Sequence, residues 1–216
     1  MILLTEPKRG RELVQTAKNL TETYPLLSHI TTVGADVFLI IYPVFLIVLY
    51  LYGILKKQLQ AKIGALFIFF GCFSSLLLNL FIQIFFEKQR PIAQMLQENF
   101  TETPLHQFLP TSSFPSDHSV VGMSVAVMTL LRGIKTKNKK LTIFAVFLVI
   151  CAIMMGMCRV FTAVHRPSDI LGGFLVGIIV PCVLIQPFFF FRCEKWILKP
   201  IVRFQEWLFE KLTIKY

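Results

Sequence analysis

Cys158-Arg159-Val160-Phe161-Thr162-Ala163-Val164-His165-Arg166-Pro167-Ser168-Asp169 joins two long apolar runs, residues 141–164 and 170–191. An arginine, a histidine six residues on and an aspartate four beyond that are thereby placed between two membrane-length segments. Arginine is a permanent cation whose planar fork of donors grips phosphate. Histidine can attack or shuttle protons near neutral pH. An aspartate within reach can fix the tautomer of the imidazole and stabilise its charged form. Taken alone, the same residues also read as ordinary caps of two helices at the water boundary.

Working outward, three further apolar runs cover residues 34–55, 63–86 and 119–131. Spanning ~30 Å of hydrocarbon takes roughly 20 residues. The run at 119–131 reaches that length only if Ser116, Asp117 and His118 form its first turn, so this helix is expected to start below the headgroup level. The chain has 216 residues, 55% hydrophobic and 16% charged, against about 25% charged in soluble domains. The composition gives an integral membrane protein of one domain. The opening residues lack the apolar core of a signal peptide, so the first membrane helix is expected to act as the insertion signal.

Residues 1–33 carry Leu13, Ala17, Leu20 and Tyr24 at helical spacing, which predicts an amphipathic helix lying on the membrane. The tail after Arg192 mixes charges with Trp196, Ile197, Ile201, Phe204 and Trp207 and predicts a second interfacial helix. The expected fold is therefore all-α. It is a polytopic membrane helical bundle with about five transmembrane helices plus amphipathic N- and C-terminal interfacial helices. One domain covers residues 1–216, with 1–33 interfacial, 34–191 the transmembrane core and 192–216 a cytoplasmic tail. Gly173 and Gly177 form a small-x-x-x-small pattern that suits close helix packing.

The formal net charge is +10. In a membrane chain this marks contact with anionic lipid headgroups and loop orientation, and no nucleic-acid partner is expected. Lys56, Lys57 and Lys62, then Arg132, Lys135, Lys137, Lys139 and Lys140, then the basic tail belong on one side. The positive-inside rule places them in the cytoplasm. The cations of the N-terminal segment (Lys8, Arg9, Arg11, Lys18) run against that assignment. The five cysteines lie in or beside apolar runs without a C-x-x-C pair and read as small buried hydrophobes.

Alternating helix direction brings four polar ends to the opposite face. They carry Lys88 and Arg90, then Ser116, Asp117 and His118, then Arg159, then His165 and Asp169. Random capping would scatter such residues over both faces, so the convergence marks a functional site. Its chemistry suits phosphoryl transfer. Arg90 and Arg159 can hold phosphoryl oxygens and stabilise transition-state charge. Ser116 opens a helix, where free N–H groups favour an anion. Two histidines, His118 and His165, allow one to attack and the other to protonate the leaving oxygen, with Asp169 the natural partner of His165. Asp117 is either a first-turn carboxylate favoured by the helix dipole or a working residue. The same aspartates and histidines can in principle hold a divalent ion. The two arginines already fill that charge-neutralising role, so neither a metal nor another cofactor is expected. His29 and His106 have no matching partners and read as surface residues. Asn19 and Asn99 match the N-glycosylation pattern by chance.

These residues resemble the type 2 phosphatidic acid phosphatase superfamily of membrane lipid phosphatases, whose motifs are K-x6-R-P, P-S-G-H and S-R-x5-H-x3-D. Arg90 and Pro91 match the end of the first, Pro115, Ser116 and His118 the second, and Arg159, His165 and Asp169 the third. Three positions depart from the pattern. Gln83 stands for the first-motif lysine, so a phosphate cation is missing unless Lys88 substitutes. Asp117 stands for the glycine and Cys158 for the serine. Ser113–His118 (Ser-Phe-Pro-Ser-Asp-His) is similar to the bacitracin-resistance branch, whose members are undecaprenyl pyrophosphate phosphatases. The resemblance implies metal-independent hydrolysis of a lipid diphosphate at the outer face of a bacterial plasma membrane, recycling the cell-wall lipid carrier. It implies His165 as nucleophile through a phosphohistidine, His118 as general acid, and Asp169 as partner of His165. Arg90, Arg159 and Ser116 would bind phosphate, with Asp117, Gln83 and Lys88 beside them. Phosphatidylglycerophosphate, a lipid A phosphate or phosphatidic acid are alternative substrates. A phospholipid binder or transporter is the alternative outside enzymes, although few polar residues line the cytoplasmic halves of the helices.

Overall fold

The structure, a computed structural model, describes residues 2–3, 8–91 and 112–213. The sequence readings at Asn99 and His106 lie outside the described residues. The elements are β1 (Ile2–Leu3), α1 (Lys8–Thr23), α2 (Pro25–Leu55), α3 (Leu59–Phe85), β2 (Phe86–Glu87), α4 (Asp117–Lys135), α5 (Lys139–Phe161), α6 (Pro167–Leu184), α7 (Pro187–Cys193) and α8 (Lys199–Thr213). A π-helical turn, Glu194–Leu198, links α7 to α8. The fold is all-α apart from a two-residue parallel pairing of β1 with β2.

Four helices, α2, α3, α5 and α6, are long and apolar enough to cross a membrane. Their outward faces are greasy. Val37, Ile40, Val44, Ile47 and Leu51 of α2 are all exposed, as are Ile143, Phe147 and Ile150 of α5. Such a continuous apolar exterior is what hydrocarbon requires and water forbids. The fifth expected span is α4. Its 19 residues at about 1.5 Å each give roughly 28 Å, close to a hydrocarbon core. It is less hydrophobic than the others because it touches protein on all sides, packing on α2, α3, α5 and α6. Val120, Val125, Ala126 and Met128 are inaccessible, as are Ser119, Ser124 and Thr129. A helix sheathed by four others can carry hydroxyls that lipid would reject.

Helix boundaries in three of the expected spans differ at four ends. The first span begins at Pro25 rather than residue 34, because Pro25 sits at the first helical position and supplies a preset φ. Of the described residues within 1–33, Ile2–Leu3 form β1, Lys8–Thr23 form α1, and those from Pro25 on form the first turns of α2. The fourth run stops at Phe161, where Ala163 takes a left-handed φ of 53°. Val164 N and His165 N both donate to Arg159 O, which ends the helix and turns the chain back. The fifth run begins at Pro167, so Asp169 lies inside the first turn of α6. It ends at Leu184, because Pro187 forces Gln186 into an extended conformation.

The two amphipathic helices form, with one change of face. In α1, Val14 and Ala17 are buried while Leu13, Leu20 and Tyr24 are exposed, so only part of the expected stripe meets protein. The C-terminal elements bury Cys193, Leu198 and Val202 and expose Trp196, Phe204 and Trp207. Lys62 at the start of α3 is buried and hydrogen-bonds Glu206 of α8, and Tyr50 Oη donates to Gln205 at 2.9 Å. These contacts tie the tail to the basic end of the bundle.

The packing of α4 on α6 positions the other end. A Cβ on Gly173 would come within 2.7 Å of Ser116 O and of Ser119 Cβ, and one on Gly177 within 2.9 Å of Met123 Cβ. The missing side chains let the two backbones approach, and Ser116 N donates to Asp169 O at 3.0 Å. Gly173→Ala should lower stability by about 1–3 kcal/mol through overpacking against backbone. Thermal unfolding in detergent checks this, and a wild-type melting temperature would mean the approach is not tight.

Candidate active site

Asp169 is the best-connected side chain at the polar end of the bundle. It is fully buried. Its Oδ1 accepts from Lys88 Nζ at 2.7 Å, and its Oδ2 accepts from Ser113 Oγ and from Arg166 N at 2.9 Å. Lys88 also donates to Ser168 Oγ at 2.6 Å. A buried charge needs this many partners, because water is not there to supply them.

His165 lies beside this cluster and is 2% exposed. Its Nδ1 is 3.0 Å from Ser113 O, 3.4 Å from Ser113 Oγ and 3.7 Å from Asp169 Oδ2. A carbonyl only accepts, so Nδ1 carries the proton and donates to Ser113 O. Nε2 then keeps its lone pair, the form a nucleophile needs. The expected His165–Asp169 pair is present as a 3.7 Å contact, while the hydrogen bond goes to main chain. Burial depresses the proton affinity of His165. Asp169 pulls it up, and Arg90 and Arg159 push it further down.

Arg159, near the end of α5, extends NH1 to Asp36 Oδ1 of α2 at 3.2 Å. His118 Nε2 is 3.9 Å from the same oxygen. His118 also lies within electrostatic range of Arg159, His165 and Arg90, which gathers the expected arginines and histidines around one space. Ser116 Oγ and Arg159 Nε, both buried, have no hydrogen-bond partner among the described residues. Both are donors, and unsatisfied buried donors are rare. They are suited to the oxygens of an anionic ligand.

Two of the three departures from the motif pattern, Gln83 and Asp117, lie against each other. Gln83 Nε2 donates to Pro115 O at 2.9 Å and to Asp117 Oδ1 at 3.0 Å. Asn79 Nδ2, one helical turn earlier on α3, donates to the same Asp117 oxygen at 2.7 Å. The uncharged Gln83 and the unexpected Asp117 thus meet each other. Asp117 is exposed beyond the clamp. Lys88 stands on Asp169. Arg90 is half-buried. Among the described residues no group of three His, Cys, Asp or Glu is spaced to hold a metal ion.

Sequence reasoning missed Asp36, Asn79 and Ser113. A lone acid in an otherwise apolar run signals function, so Asp36 was findable. Asn79 is spaced one turn from Gln83, but nothing in the sequence marks that face as the one meeting α4. Ser113 precedes its motif and works partly through its carbonyl, which no residue type reveals.

Membrane-spanning helices that gather arginines, paired histidines and unsatisfied donors at one end define a membrane phosphotransfer protein. The PAP2 superfamily profile matches residues 61–192, and the chain belongs to that superfamily; it is a membrane lipid phosphatase. The chain is 26% identical to undecaprenyl-diphosphatase BcrC of Bacillus subtilis, over 94% of this chain and 95% of that one. It is 34% identical to a lipid A 1-phosphatase of Rhizobium johnstonii over 53% of this chain and 43% of that one. It is 30% identical to the putative undecaprenyl-diphosphatase YbjG of Escherichia coli over 63% and 61%. In fold it is similar to the crystal structure of a transmembrane PAP2-type phosphatidylglycerolphosphate phosphatase from Bacillus subtilis. That match has a TM-score of 0.57 and 22% identity, and covers 82% of each chain.

The depressed proton affinity of His165 sets a pH dependence. Were His165 the attacking group, neutral imidazole would be the reactive form, and burial holds its folded-state pKa below the ordinary value of about 6.5. Activity should therefore persist below pH 6.5 and fall only as the pH drops through the lowered pKa. A kcat/KM profile checks this, and an acid limb centred above 6.5 would contradict the burial argument.

Proposed function

We propose that the protein hydrolyses undecaprenyl diphosphate to undecaprenyl phosphate and inorganic phosphate at the outer face of a bacterial plasma membrane. The observation that carries the reading is the gathering of Arg159, His118 and His165 at one end of the bundle, where Ser116 Oγ and Arg159 Nε have no hydrogen-bond partner among the described residues. Similarity to BcrC over nearly the whole chain supports the choice of substrate.

In this mechanism Arg90, Arg159 and Ser116 hold the terminal phosphoryl group. His165 Nε2 attacks phosphorus, a P–N bond forms, and the bond from phosphorus to the lipid phosphate oxygen breaks. His118 gives a proton to the leaving oxygen. Water then attacks the phosphohistidine, His118 takes its proton, and phosphate leaves with His165 regenerated. No metal takes part. Lipid A monophosphate is the second reading, favoured by the higher identity, 34% over 53% of this chain, to a lipid A 1-phosphatase.

The test is phosphate release across a panel of lipid monophosphates and diphosphates. Undecaprenyl diphosphate should be the best substrate, with turnover unchanged by excess EDTA. His165→Ala should abolish turnover of every substrate, because no intermediate forms. A diphosphate leaves as a phosphate, a weak base needing little protonation. His118→Ala should therefore cost monoesters the usual general-acid factor of about 10²–10⁴ and diphosphates much less. Equal losses would remove His118 as the acid, and loss on chelation would remove the metal-free mechanism.

Orientation has its own test. A cysteine placed at exposed Thr23, on the same end as the catalytic turn, should react with an impermeant thiol reagent from outside the cell, and one at Lys137 should not. The reverse pattern would put the site in the cytoplasm.

A further inference from the structure

Lys88 was a candidate replacement for the missing first-motif lysine at Gln83. Its position answers a different need. It is 4% exposed, and its ammonium contacts Asp169 at 2.7 Å and Ser168 at 2.6 Å. Asp169 in turn holds Ser113 Oγ and Arg166 N, and the Ser113 carbonyl holds the proton of His165 Nδ1. The chain of contacts runs from Lys88 through Asp169 and Ser113 to the imidazole.

We propose that Lys88 is a positioning residue that neutralises Asp169, so that His165 meets a balanced ion pair and stays unprotonated and aimed by the Ser113 carbonyl. The proposal rests on His165 being the attacking group of the reaction above. Asp169 Oδ2 is 3.7 Å from His165 Nδ1, close enough for an uncompensated carboxylate to draw a proton onto the ring. Among the described residues, the other ionisable groups around His165 are Arg90 after α3, Arg159 on α5 and His118 on α4, with buried Arg166 next to it in the turn, its NH1 donating to Gln89 O at 2.6 Å. With Lys88 in place, the cations outweigh the carboxylate. Without it, the carboxylate loses the side-chain ammonium that contacts it, and its pull on the His165 proton is no longer offset.

The experiment titrates His165 by NMR in the full-length protein, with isotope-labelled histidine and His165→Gln for assignment. Lys88→Met should raise the His165 midpoint by about 1 pH unit or more, the usual effect of a nearby opposite charge. Lys88→Gln, which keeps a donor and drops the charge, should do the same and guards against misfolding of the first variant. Adding Asp169→Asn to either should bring the midpoint back to the wild-type value or below. The acid limb of the activity profile should move with it, while inhibition by orthophosphate stays within about twofold. A midpoint that does not move in either variant overturns the proposal. So does an unmoved acid limb with weakened orthophosphate inhibition, which would make Lys88 a phosphate ligand. A wild-type protein that releases no phosphate from any lipid would remove the reaction itself, and the NMR midpoints would still decide the role of Lys88.

Discussion

The buried carboxylate of Asp169 is the constraint on which the polar end depends. It cannot stay charged in a protein interior without partners, and it takes them from three separate segments. Lys88 comes from the segment after α3, Ser113 from the approach to α4, and Arg166 N from the turn between α5 and α6. Removing one partner of a buried ion pair typically costs about 3–5 kcal/mol. One side chain therefore determines both where the catalytic turn sits and how the segment before α4 meets it. His165 is held by the same arrangement, through the Ser113 carbonyl.

The central helix explains how such an arrangement survives among lipid-facing helices. Isolated in a bilayer, α4 would expose Ser119, Ser124 and Thr129 to hydrocarbon. Surrounded by α2, α3, α5 and α6, it presents them only to protein. Its N-terminus can then carry Ser116, Asp117 and His118 into the same enclosed end. The close α4–α6 approach at Gly173 makes this possible, since any larger residue would hold Ser116 away from Asp169.

Much of this was legible in the sequence. Four long apolar runs announce their own helices, because hydrocarbon demands both length and composition. The catalytic residue types stand out because polar groups are costly there. Helix ends were less legible. Whether residues 162–166 continue a helix depends on the left-handed turn at Ala163, which no residue type at that position signals. Pairings across helices were least legible. Gln83 and Asp117 each look like a defect alone, and only the juxtaposition of α3 with the start of α4 shows that they fit each other. Lys88 was noticed for its charge and assigned to phosphate, because sequence spacing cannot show that a buried aspartate lies nearer.

The clamp on Asp117 also bears on how a lipid phosphate meets this end. Its two donors, Asn79 and Gln83, are neutral amides and bring no positive charge of their own to the carboxylate. Arg159 is paired with Asp36 and Lys88 with Asp169. A cation matched by a carboxylate in contact casts little net field beyond a Debye length of about 8–10 Å, so these two pairs add little to any long-range pull on an anionic headgroup. They act at contact range, on lipid that reaches them by diffusion within the plane of the bilayer.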